Sequence, residues 1–425
     1  MTNIKIENIL HKLIPAYIFL ICLFGDYFDY YSRIVNELPL IIPELKYILD
    51  VLKLTIFILI LLSMVIKKDF NIKIEGFFLF FSYIFSSFLV YFFSDEISLF
   101  GDFYYIEGVL SGEVAGTNLY FVFVYFMDLI ILFTLGKVIL HKDALKIKVY
   151  NVILWTIPFH LINALLQFKS FFGSWGIGAL FFTATEGGNI PMRLTGLFNA
   201  SFAFSAYLGI IIYIIFTKNL KYKYVYSIII LLFNIASLTR SGIIVFLILM
   251  IYYLFRNRSL KNIVVSLLML IATLFTLICM YSLMIKYNIQ YFARVFQGVN
   301  LDENFSLYFR LVAPFTNLYE LISNNTFFSF FGLGHEQKLV SDNNVFVMIY
   351  KFGLIFTIIY FISFIKYSLK NTQKYFALLI LFLLNNILFS GMGQFASIFF
   401  TIIFSLIFYE QKGEENEKNI SSISK

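Results

Sequence analysis

Ser205-Ala206-Tyr207-Leu208-Gly209-Ile210-Ile211-Ile212-Tyr213-Ile214-Ile215-Phe216 decides the fold class. From Phe198 to Phe216 the chain carries no charged residue, and Lys218 closes the run. At a rise of about 1.5 Å per residue, a helix of this length spans the roughly 30 Å hydrocarbon layer of a bilayer. A transmembrane β-barrel strand instead alternates apolar and polar residues over about ten positions, so the unbroken run excludes a barrel.

The rest of the 425 residues follows the same pattern, with 60% hydrophobic and 13% charged residues and a mean hydropathy of +0.85. Soluble domains carry about 25% charged residues, which excludes a water-soluble enzyme or nucleic-acid binder. At about 20 apolar residues per span, the content suffices for roughly twelve helices. Apolar windows place them at 8–25, 47–66, 76–93, 118–138, 149–167, 198–216, 223–239, 241–255, 263–285, 343–365, 375–391 and 395–409. The predicted fold is an all-α polytopic membrane protein of about 12 transmembrane helices. Residues 1–410 form one transmembrane domain and 411–425 a polar cytoplasmic tail. The first run lacks a small-residue cleavage site and is read as an uncleaved span. Cys22 and Cys279 lie inside apolar runs as buried thiols, so neither a disulfide framework nor a Cys/His metal cluster is expected.

Alternate connections differ in charge. The short ones, together with both termini and the span ends beside them, hold 21 of the 32 Lys and Arg but only eight of the 25 acids. The positive-inside rule therefore places both termini in the cytoplasm. The net charge of +7 reflects orientation and contact with anionic lipid headgroups, not nucleic acid. Four longer loops, 26–46, 94–117, 168–197 and 286–342, then face outward. The last is the largest. Phe305, Leu307, Phe309, Leu311, Val312, Phe315, Leu318, Leu321 and Ile322 recur there near helical spacing, predicting short amphipathic helices in the interface, with Pro314 near a start or kink.

Outer-side cations are scarce. Arg193 lies at the junction of the third outer loop with the sixth span, Arg240 in the tight turn between spans seven and eight, and Arg294 and Arg310 in the large loop. A planar, permanently charged guanidinium pairs bidentately with phosphate oxygens, so this set suits a lipid-linked pyrophosphate. The competing reading has each arginine snorkelling to headgroups or pairing with a nearby acid. Near the end of the large loop, Phe331-Gly332-Leu333-Gly334-His335-Glu336 leads to Ser341-Asp342-Asn343-Asn344 and Lys351-Phe352-Gly353-Leu354. Asp342 or His335 is placed to accept a proton from a sugar hydroxyl. Asp342-Asn343 equally fits a helix N-cap.

Within the spans, Asp128, His160, Asn163 and Gln167 are polar. The last three share one face of span five, marking either hydrogen bonding between helices or a substrate path. Tyr104, Tyr105, Trp175 and Tyr308 in the outer loops suit stacking on pyranose rings or, like the abundant Phe and Tyr generally, the lipid interface.

Three pieces in order resemble the bacterial O-antigen polymerase and ligase superfamily (Wzy and WaaL proteins). They are Arg193-Leu194-Thr195-Gly196-Leu197-Phe198-Asn199 entering a span, Leu238-Thr239-Arg240-Ser241-Gly242 at a tight turn, and Gly332-Leu333-Gly334 leading through Asp342-Asn343-Asn344 to Gly353-Leu354. The resemblance covers about residues 190–360. It implies a GT-C-like, metal-independent glycosyltransferase of the inner membrane, without a cofactor, whose large loop is periplasmic. The implied substrate is an undecaprenyl-pyrophosphate-linked oligosaccharide, with membrane lipids and a chain-length regulator protein as further partners. It also implies that Arg193, Arg240, Arg310 and Arg294 hold the pyrophosphate, that Asp342 and His335 act on the acceptor hydroxyl, and that Asn343 and Asn199 position it. Ligases tend to show a His where this chain reads Asp342-Asn343, which favours a polymerase of O-antigen or capsule repeat units over a ligase. A lipid-linked oligosaccharide flippase is the alternative from another class. It would carry cations along a central cavity and show two similar halves, whereas here the spans hold few cations and the long loops are unevenly placed.

Overall fold

The computed structural model describes residues 2–31, 44–67, 143–172, 194, 196–198, 201–237, 239–256, 313–324, 330–332 and 344–370, with isolated helical positions at 85, between 264 and 282, and at 377, 380 and 381. All regular structure among them is helical, with no strand. The helices are α1 (Thr2–Tyr31), α2 (Glu44–Lys67), α3 (Asp143–Phe172), α4 (Ser201–Thr217), α5 (Lys223–Ala236), α6 (Arg240–Arg256), α7 (Ala313–Asn324) and α8 (Asn344–Lys370). The expected spans 118–138 and 395–409, all of 76–93 but position 85, most of 375–391, Asp128 and the tail 411–425 lie outside the described residues.

Helix α4 is the centre of the described packing: residues 204–216 are buried all round, with α5 and α6 on one side and α3 on another. A helix that is apolar nearly all round is found either wrapped by other helices, as here, or facing lipid. Its end is fixed locally. Asn219 takes a left-handed φ of 50°, and Leu220 N–H donates to the Ile215 carbonyl at 3.2 Å, the 6→1 bond of a Schellman turn. Lys223 Nζ then donates to Asn219 Oδ1 at 2.7 Å and the Lys223 backbone N–H to the Leu220 carbonyl at 3.2 Å, tying the turn to the start of α5.

Helix α1 packs on α2 and α3 through Leu10, Ile14, Tyr17, Ile18 and Ile21, a stripe at helical spacing. The outward faces are apolar too: α2 exposes Val51, Ile58, Leu62 and Val65, and on α3 Trp155 is 71% exposed. Such faces suit lipid better than water. Ile6–Leu23 in α1 and Leu145–Leu165 in α3 are long and apolar enough to cross a membrane.

In the large loop α7 starts at Ala313 with Pro314 in its first turn, where a missing N–H costs nothing. Phe315, Tyr319 and Ile322 form its exposed apolar side. The expected span 343–365 falls on α8 with one difference: Gly353, at φ 85° and ψ 167°, breaks the helix. A Cβ there would meet the Phe330 carbonyl oxygen at 2.1 Å, so backbone from 330–331 lies where a side chain would stand. That contact seats the backbone just ahead of Gly332, itself at φ 89°, on the break in α8.

Candidate functional site

The described part of the site is two polar clusters near the start of α4, one shared with α3 and the other with the turn between α5 and α6. Helix α3 presents His160 and Asn163, one turn apart and both buried, to the residues just ahead of α4. Leu197 N–H donates to His160 Nδ1 at 3.2 Å, and Asn163 Nδ2 donates to the Gly196 carbonyl. These are the two polar groups of a single peptide unit. On its other side His160 Nε2 meets the Cys22 carbonyl of α1 at 2.8 Å. A carbonyl only accepts and an N–H only donates, so the ring is the neutral Nε2–H tautomer with both nitrogens engaged. Phe198, stacked at 4.6 Å, and Tyr207, tilted at 4.5 Å, pack against the ring and lie 5.3 Å from each other. Tyr207 in turn shares a 2.6 Å hydrogen bond with Thr156 of α3.

Gly196 makes the turn possible. Its φ is +60°, and a Cβ would stand 2.9 Å from Phe204 and 3.1 Å from His160 Nδ1. Leu194 and Phe198 are buried on either side, anchoring the motif that carries Arg193 and Asn199 to the first turns of α4.

The second motif is tied to the next residue along. Ser205 shares hydrogen bonds with Thr239 and, at 3.0 Å, with Ser237, and those two hydroxyls are 2.5 Å apart. Thr239 also receives the first helical bond of α6, from Ile243 N–H at 3.2 Å, so its carbonyl caps α6 while its hydroxyl turns to α4. Arg240 opens α6 directly after it. Behind this turn Asn234 is 1% exposed, and neither its Oδ1 nor its Nδ2 has a partner among the described residues. A buried amide left without a partner costs about 1–3 kcal/mol.

Gly242 packs where α4, α5 and α6 touch: a Cβ would fall 2.6 Å from Ser205 Cβ and 2.7 Å from Asn234 Oδ1. Gly242→Ala is therefore expected to destabilise the protein by about 1–3 kcal/mol through overpacking. A lowered Tm of the purified protein in detergent checks this; an unchanged Tm would mean the three helices are not in register here.

Of the residues singled out from sequence, His160 and Asn163 are brought together on the Arg193 motif, as hydrogen bonding between elements. The Gln167 side chain is outside the description, as are Arg193, Asn199, Arg294, Arg310, His335, Asp342 and Asn343; of Arg240 only the helical backbone is described. Ser205, Ser237, Thr239 and Asn234 were not singled out as polar partners. Their signal was small polar residues inside or at the ends of apolar runs, which becomes meaningful only once α4, α5 and α6 are packed. The chain matches no protein-family model, no curated protein and no solved structure.

Proposed function

We propose that this chain is a polymerase of surface-polysaccharide repeat units, O-antigen or capsule, acting at the periplasmic face of the bacterial inner membrane. About twelve spans in a GT-C-like arrangement, with both termini cytoplasmic, complete the reading. The observation that carries it is the meeting of two arginine-bearing motifs on adjacent residues of α4. The Arg193 motif packs at Phe204, and the Arg240 turn bonds to Ser205.

Two further features support it. The opposite end of the α3–α4 pair is basic: Lys218 donates to Asn151 of α3, with Lys221 and Lys223 next along. Cations gathered there fit a cytoplasmic face, leaving the arginine motifs outside. Val264, Leu267, Leu268, Ile271, Leu274, Phe275 and Ile278 are helical and exposed along one apolar line, as a lipid-facing span would be.

In this mechanism the acceptor's sugar hydroxyl attacks the anomeric carbon of the donor sugar. A C–O bond forms, the bond to pyrophosphate breaks, and undecaprenyl pyrophosphate leaves. Asp342, with His335, takes or orients the hydroxyl proton. Arg193, Arg240, Arg310 and Arg294 offset charge developing on the leaving pyrophosphate, and fixed cations aimed at developing charge usually supply the largest part of catalysis. Asn343 and Asn199 position the acceptor. A chain-length regulator is a further partner in this reading.

A deletion strain tests the function. Loss of a polymerase leaves single repeat units on the final carrier. Long chains stranded on the lipid carrier would instead mark a ligase, and repeat units accumulating on the cytoplasmic side would mark a flippase.

A further inference from the structure

We propose that His160 is a positioning residue that sets Arg193 for the donor pyrophosphate by fixing one peptide plane. The proposal rests on the polymerase reading above. Both polar groups of the Gly196–Leu197 peptide are held from α3, the N–H by His160 Nδ1 and the C=O by Asn163 Nδ2. Holding both fixes the rotation of that plane, and so seats on α3 the left-handed turn at Gly196, two residues after the buried Leu194 that follows Arg193 in sequence. The imidazole is itself fixed, because its other nitrogen donates to the Cys22 carbonyl and the rings of Phe198 and Tyr207 pack against it. His160 is fully buried and both ring nitrogens are occupied, so it does not touch substrate. It acts through the segment it holds. One ring thereby links α1, α3 and the approach to α4, and a displacement of α1 at Cys22 would be passed to the Arg193 motif.

Two substitutions separate the two bonds. His160→Asn keeps an acceptor near the Nδ1 position for Leu197 N–H and gives up the tether to Cys22. His160→Gln keeps a donor near the Nε2 position for the Cys22 carbonyl and gives up the acceptor for Leu197. The full chain, purified in lipid nanodiscs, is assayed for extension of undecaprenyl-pyrophosphate-linked repeat units and for amide hydrogen exchange across 194–198. His160→Gln is expected to raise the donor KM and the exchange of that segment each by about tenfold, the equivalent of one lost hydrogen bond. His160→Asn is expected to stay within about threefold of wild type on both, although its Tm falls.

A merely structural role lowers the active fraction, hence kcat, and leaves the donor KM alone. An unchanged donor KM in His160→Gln, or equal shifts in both variants, would overturn the proposal. Absence of extension by the wild-type chain would overturn the polymerase reading and the donor-positioning role with it. Exchange across 194–198 would still decide whether the clamp on that peptide exists.

Discussion

Gly353→Ala is expected to destabilise the folded protein severely. The backbone there, at φ 85° and ψ 167°, lies in a region that essentially only glycine occupies, and forcing another residue into it costs about 1–3 kcal/mol. The added Cβ would also stand 2.1 Å from the Phe330 carbonyl oxygen and 2.6 Å from the Phe331 carbonyl carbon. These are backbone atoms, so no side-chain rotation relieves the clash. Overpacking adds about 1–3 kcal/mol, and the two together take a large share of a typical stability of roughly 5–15 kcal/mol. Gly209→Ala is the control: its Cβ would meet only side-chain ends, Val245 Cγ1 at 3.2 Å and Leu381 Cδ2 at 3.3 Å. Monodisperse yield and Tm in detergent should collapse for the first variant and change little for the second. Equal behaviour of the two would show that 330–332 does not dock on α8.

The second large effect is on transfer. Arg193→Ala and Arg240→Ala are each expected to lower chain extension by about 10²–10³-fold, the loss typical when one preorganised donor to developing charge is removed. Arg240→Lys should also fall well below wild type, because an ammonium cannot reproduce the bidentate fork. Arg240 follows the Thr239 cap, whose hydroxyl and carbonyl are both engaged, so its backbone is held whatever its side chain. The loss should therefore appear in activity with little change in Tm. Normal polymer ladders at normal protein levels for Arg193→Ala, Arg240→Ala and Asp342→Ala would sink the site assignment.

The helix over 198–216 was legible as an unbroken apolar run, but its burial among other helices was not, because such a run can equally face lipid. The hairpin of α5 and α6 followed from Ser237–Gly242 between two such runs, and Pro314 marked the first turn of α7. The break in α8 was not legible. A glycine in an apolar run is ordinary for a membrane helix, and the reason for this one is Phe330, brought by another segment. The same limit applied to the polar residues. The common face of His160 and Asn163 could be read from their spacing, but their partner is a peptide 33 to 37 positions away. Ser205 likewise meets Thr239 across 34 positions, a pairing that no local pattern encodes. Local periodicity predicts which face is polar; only packing decides what it holds.

The central claim is glycan transfer from a polyprenyl pyrophosphate, and its most direct test is chain extension by the purified full-length protein. Supplied with undecaprenyl-pyrophosphate-linked repeat units in nanodiscs, the wild-type chain should yield a ladder of longer lipid-linked products. One undecaprenyl pyrophosphate should be released per bond formed. Repeat units that remain single, with no pyrophosphate carrier released by a folded, monodisperse protein, would contradict it.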